Sequence, residues 1–134
     1  MSEDAALSLP GMADIPYDCV VIHELDGEFH PASLCKAMCA PEAAREAVRL
    51  LSELREAEQS RCHFPGYRIE LLQAETVVFG TSICWQCDNM RLDGPLAPSR
   101  GWAVFDSGSD PAQALLALCQ QTIEGLGDRP SSTG

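Results

Sequence analysis

The stretch Tyr67 to Trp85, YRIELLQAETVVFGTSICW, decides the fold. Two runs rich in β-branched, aromatic and aliphatic residues flank a short break at Ala74 and Glu75. Runs of this kind joined by two residues read as an antiparallel hairpin. Pairing Gln73 with Thr76 sets the register. Extended outward, it puts Pro65 opposite Cys84, His63 opposite Gln86 and Cys62 opposite Cys87.

Upstream of the hairpin, PEAAREAVRLLSELREAEQS (Pro41 to Ser60) places Ala44, Ala47, Val48, Leu51 and Leu54 on one stripe, with Leu50 beside it. This is the spacing of an amphipathic helix. Glu42 and Glu46 suit its N-terminal dipole. Glu42 with Arg45 and Arg49 with Glu53 are complementary pairs. Further upstream, YDCVVIHEL (Tyr17 to Leu25) reads as a strand, followed by an Asp-Gly turn. HPASLCKAMCAP (His30 to Pro41) reads as a short helix, with Pro31 in its first turn and Leu34, Met38 and either Cys35 or Cys39 on its inner face.

Downstream, DGPLAPSRG is a loop and WAVFD a short strand. SGSDPAQALLALCQQTIEGLG reads as a closing helix with Asp110 as N-cap, Pro111 at its first position and a stop at Gly125. Leu115, Leu118, Cys119 and Ile123 form its inner stripe. The order β, α, α, β, β, β, α predicts an α+β fold: an antiparallel sheet of three to four strands with two or three helices packed on one face. Residues 15–126 form the single expected domain. Residues 1–14 and 127–134 read as disordered tails.

The chain has 134 residues, enough for one core without cross-links. It contains no apolar run of about 18 residues, so no membrane span is expected. Glu3 and Asp4 stand where a secretion signal carries basic residues, which points to the cytoplasm. Twenty acidic residues against nine basic give a net charge of −11. That charge repels nucleic acid and anionic membranes, and it suits a basic protein partner.

Seven cysteines, an odd number, argue against a secreted disulfide framework. Cys84 and Cys87 have the two-residue gap of a zinc knuckle. With Cys62 and His63 across the hairpin they complete a tetrahedral set. A dithiol redox pair is the other active reading, but Asp88 and Asp93 disfavour a thiolate there. The third reading is packing: Cys84 in the core, Cys87 at a turn, and Cys19 and Cys119 on apolar stripes. No Gly-rich phosphate loop, serine elbow or HExxH motif occurs. His23 reads as a rim histidine.

The pattern YRIEL…VVFGTSICWQCDNMRL…WAVFDSGSDPAQALLAL resembles small uncharacterised bacterial proteins in which a hairpin ends in Cys-Trp-x-Cys-x-Asn and a Phe-Asp strand leads into a Leu-rich helix. The resemblance covers Tyr67 to Leu118, with Asp88 and Asn89 following the second cysteine. In size and acidity the chain is also similar to immunity proteins, which neutralise a co-produced toxin. The implied role is non-enzymatic, without a cofactor. An acidic face would dock on the basic cleft of a cognate toxin. Asp18, Glu24, Asp26 and Glu28, around the first strand and its turn, are the candidate contacts. The alternative is a small zinc-binding module built on Cys62, His63, Cys84 and Cys87.

Overall fold

The structure is a computed structural model that describes residues 15–27, 32–54, 65–97 and 101–133, with residues 126–133 described by backbone alone. Six strands and two helices are present among them. In chain order they are β1 (Cys19–Leu25), β2 (Ser33–Met38), α1 (Pro41–Glu53), β3 (Tyr67–Gln73), β4 (Thr76–Cys84), β5 (Asn89–Asp93), β6 (Trp102–Val104) and α2 (Asp110–Thr133). The strands form one sheet in the order β2-β1-β3-β4-β5-β6. Every neighbouring pair is antiparallel.

The α+β class and the antiparallel sheet agree with the sequence reading. The strand and helix counts do not: the sheet has six strands rather than three to four. Ser33–Met38 is a strand where helical spacing predicted a helix. Leu34, Lys36, Ala37 and Met38 are good helix formers, but propensity is a weak prior that tertiary pairing overrides. β1 is buried beside β2 and takes its backbone partners from it, with Ile22 opposite Ala37 and Glu24 opposite Cys35. Asn89–Asp93 is a fifth strand, paired to β4.

The hairpin turns at Ala74 and Glu75, as expected. Both residues are left-handed, with φ of 52° and 70°. That is the primed-turn geometry that matches strand twist. The Asp18 carboxylate accepts the Ala74 amide at 3.0 Å and holds the turn in place. Next to the turn the register slips. Leu72 faces Val77 but Leu71 faces Phe79, so Val78 is a bulge. The predicted pairing therefore moves by one residue, and Tyr67 faces Ile83. β4 ends at Cys84 and the chain turns back at residues 85–88, so the ladder does not reach Gln86 or Cys87.

Alternate residues of the strands build one core face. Val20 and Ile22 of β1, Ile69 and Leu71 of β3, Phe79 and Ile83 of β4, Met90 and Leu92 of β5 and Ala103 of β6 are all buried there. Ala44, Ala47, Leu50 and Leu51 from α1, with Leu54 just after it, close over this face, joined by Ala112, Leu115 and Cys119 from α2. Both helical stripes match the sequence reading. Small Ala44 and Ala47 let α1 approach closely. Thr81 is the polar intruder on this face, and its buried hydroxyl has no hydrogen-bond partner.

α2 starts one residue earlier than its expected cap allows. Asp110 lies inside the first turn, and Ser109 precedes it. The Ser109 carbonyl accepts the Gln113 amide at 3.0 Å. The Asp106 carboxylate accepts the Gly108 amide at 3.0 Å, and the Ser109 hydroxyl donates to the Asp106 carbonyl at 2.7 Å. The helix runs through Gly125, its expected stop, to Thr133.

Candidate functional site

β2 is an edge strand. Among the described residues it pairs with β1 alone. A register shift between Glu24 and Leu25 leaves Leu34 as a bulge. The bulge re-aims Ser33 onto the face occupied by His23. Leu34 and Met38 are 62% and 71% exposed, and Lys36 between them is also exposed. The predicted helix would have turned Leu34 and Met38 inward; the strand does the opposite.

The candidate acidic residues distribute around this edge. Asp18 and Asp26 are both exposed. Eight residues of extended chain separate them, roughly 25 Å at a strand's rise. Asp26 stands at the Ser33 end of β2, where its carboxylate accepts the Ala32 amide at 3.2 Å. Glu24 is beside it, part-buried, accepting the Cys35 thiol at 3.5 Å. Asp18 stands at the Met38 end. Glu28 lies outside the described residues. The acids thus bracket the edge strand and do not make one patch.

An open cavity of about 430 Å³ continues the edge at its Met38 end. Tyr17, Asp18, Cys19, Met38, Pro41 and Arg45 line it. Cys39 also lines it, and burial pushes its thiol up to about 11; a hydrogen bond with Thr122 works against this shift and the neighbouring Cys19 adds to it. Cys119 is fully buried, and burial drives its thiol far up as well. A thiol held protonated is a packing group rather than a nucleophile.

The sheet face opposite the helices carries a row of linked polar side chains. Ser33 Oγ lies 3.0 Å from His23 Nδ1, and His23 Nε2 lies 2.9 Å from Glu70 Oε1. Arg68 Nε donates to Glu70 Oε2 at 2.8 Å. Arg68 then reaches across β4, where its two Nη atoms grip both Asp93 oxygens at 2.8 Å. Burial works to raise the Glu70 carboxyl, but hydrogen bonds from Arg68 and His23 together hold it below the usual carboxylate range. At the far side of the sheet Arg91 stacks over Trp102, 5.3 Å from the ring centre. Sequence reasoning placed His23 at a rim and missed the rest. The signal was available: Arg68 and Glu70 are two apart on a strand, so they share one face.

Hydroxyl, imidazole and carboxylate stand in line here, the three groups of an acyl-transfer triad. Glu70, however, divides its charge between His23 and Arg68. Ser33 Oγ is also 3.4 Å from the Cys35 carbonyl. The row ties β2, β1, β3 and β5 together as a clasp.

Cys84 ends β4 and Cys87 lies within the β4–β5 turn, where Asp88 takes φ of 59°. Trp85 between them donates from Nε1 to the Ala112 carbonyl at 2.9 Å and meets Tyr67 and Phe105 edge-on. This anchors the turn to α2. Cys84 is buried as a free thiol whose sulfur accepts the Cys87 amide at 3.2 Å. Cys87 is disulfide-bonded. The other described cysteines, Cys19, Cys35, Cys39, Cys84 and Cys119, are free thiols. Cys62 and His63 lie outside the described residues. Zinc binds thiolates, so an oxidised Cys87 and a zinc site are mutually exclusive states. Among the described residues no three His, Cys, Asp or Glu side chains gather as a metal site. No helix there is long and apolar enough to cross a membrane.

No family model, curated protein or solved structure matches this chain.

Proposed function

We propose that the chain is a non-enzymatic, cytoplasmic, acidic binding protein for a basic protein partner. An immunity-type inhibitor of a bacterial toxin is its most concrete form. One observation carries this reading. Exposed Leu34 and Met38 lie on a sheet edge with Glu24 and Asp26 at one end and Asp18 at the other. An apolar contact bracketed at its ends by carboxylates, on a chain of net charge −11, favours a cationic surface. The charges steer encounter and the apolar contact holds the complex.

The test uses a purified pair. A basic protein captured by the intact chain is purified and titrated against it. Affinity should fall steeply with salt. Asp18→Lys with Asp26→Lys should weaken binding about tenfold or more and flatten the salt dependence. Reversing Asp26 and Glu28 together should act in the same direction. Affinity indifferent to both salt and reversal overturns the reading.

The amide of Cys87 on the Cys84 sulfur favours a second reading, since a metal-bound thiolate accepts such a bond. Under reducing conditions Cys84 and Cys87, with Cys62 and His63, would hold zinc. Elemental analysis of the reduced chain checks it. One equivalent of zinc, lost in the Cys84→Ser, Cys87→Ser variant together with melting temperature, supports the reading; a metal-free folded chain removes it.

A further inference from the structure

We propose that the edge of β2 left unpaired among the described residues takes up an extended segment of the basic partner as an added strand. That segment would carry a cationic residue at the Asp26 end and apolar residues over Leu34 and Met38. The inference rests on the reading of the chain as a binder of a basic partner, and it specifies where and in what conformation the partner docks.

The backbone supplies the first reason. A strand paired on one side leaves a row of N–H and C=O groups facing outward, and such a row templates another strand. β2 has six residues, an ordinary strand length. The opposite edge, β6, has three and offers less.

The side chains supply the second. Three large apolar side chains are well exposed among the described residues: Leu34, Met38 and Leu96. Two of them are on this strand. Methionine is unbranched and adapts to a partner's shape. At the Met38 end the cavity of about 430 Å³ continues the strand line, with Tyr17, Met38 and Pro41 on its wall. An apolar side chain at that end of the segment fits there. At the other end Glu24 and Asp26 sit beside Ser33, and a lysine or arginine answers them.

Charge also decides against a second copy of this chain as the occupant. Two β2 strands laid edge to edge bring two Lys36 side chains together within two molecules of −11 each. Lysine on an edge strand is a known guard against self-pairing. The same lysine favours a polar or acidic residue at the centre of the added segment.

The probe is a capped synthetic peptide, Arg-Val-Thr-Glu-Thr-Val-Thr, whose two valines and glutamate share one strand face, titrated into the full chain labelled for amide NMR. Shifts and slowed exchange should concentrate on Ser33 to Met38. Leu34→Asp and Met38→Asp should each weaken binding about tenfold, as loss of a buried interface anchor does, while Leu96→Asp leaves it unchanged. A peptide with proline at the central position should not bind, because it lacks the amide the ladder needs. Perturbation elsewhere, no binding at all, or equal loss with Leu96→Asp overturns the proposal. So does edge-mediated dimerisation of the chain in sedimentation. A basic protein that binds in a salt-dependent way while the β2 amides stay unprotected sinks the docking site and leaves the basic-partner reading standing. Equal affinity for a peptide with its arginine replaced by glutamate sinks the basic preference and leaves the edge standing.

Discussion

The two faces of this sheet are made from alternate residues of the same strands, yet they are stabilised by different physics. On β3, Ile69 and Leu71 are fully buried under the helices, while Arg68 and Glu70, alternating with them, lie on the opposite face. The covered face depends on apolar area removed from water, a large term with little dependence on pH. The opposite face depends on charge geometry, a smaller term that pH and salt can remove. One chain therefore carries two kinds of stability that substitutions can separate.

The largest effect belongs to the covered face. Phe79 is 1% exposed at the centre of the sheet. Phe79→Ala should cost about 3–5 kcal/mol, read as a fall in urea midpoint at unchanged slope. That loss should be the same at pH 7 and pH 4. A strongly pH-dependent loss would mean that the two faces are energetically coupled.

Next comes the centre of the clasp. Arg68 is 21% exposed at its side chain and serves two carboxylates, of which Glu70 is the more buried. Arg68→Met should cost about 2 kcal/mol, because Glu70 keeps its burial and loses its main counter-charge. The pH dependence has a definite sign. Glu70 has its folded pKa lowered, so its contribution is complete above the unfolded carboxyl value and disappears as pH falls through the folded one. Acidification should therefore erase most of the difference between the wild type and Arg68→Met in urea melts. A difference that persists at pH 2 would assign the loss to packing of the arginine stem instead.

These contrasts also show what the sequence could reveal. β1, the β3–β4 hairpin, β6 and both helical stripes were legible, because each carries a hydrophobic period over enough residues to identify itself. β2 was not. Leu34 and Met38 are four apart, as are Cys35 and Cys39, and helical spacing fits both pairs. Only the backbone demand of β1, a non-local fact, turns the segment into a strand. The Val78 bulge is equally non-local, and it displaced the register on which the metal set at Cys62, His63, Cys84 and Cys87 was drawn. Of the acidic candidates, their position along β1 was legible. Their division between the two ends of an exposed edge required knowing that β2 is an edge.

The third effect has the opposite sign. Thr81 lies on the covered face, and its hydroxyl is buried without a partner. Thr81→Val keeps the shape and removes the orphaned group, so it should stabilise by about 1 kcal/mol in thermal or urea unfolding. A destabilised variant would reveal a bound water at the hydroxyl.

The smallest effect tests the seam between the faces at Gly80. A Cβ built there would lie 2.2 Å from Arg68 Nη2 and 2.8 Å from Asp93 Oδ1. Glycine at this position is what lets the guanidinium lie flat across β4. The obstacle is the tip of a flexible side chain, so Gly80→Ala should swing Arg68 aside rather than distort the backbone. Asp93 is half exposed, and solvent screens its pair, so that contact contributes about 0–1 kcal/mol. Alanine returns about half a kcal/mol or more by restricting the unfolded chain. The net loss in the wild-type background should be under about 1 kcal/mol. In the Arg68→Met background the guanidinium is gone, and Gly80→Ala should become neutral or stabilising. Contacting residues are expected to couple in this way. Equal losses in both backgrounds would show that the alanine strains the strand itself, and the flat path of Arg68 would no longer explain the glycine.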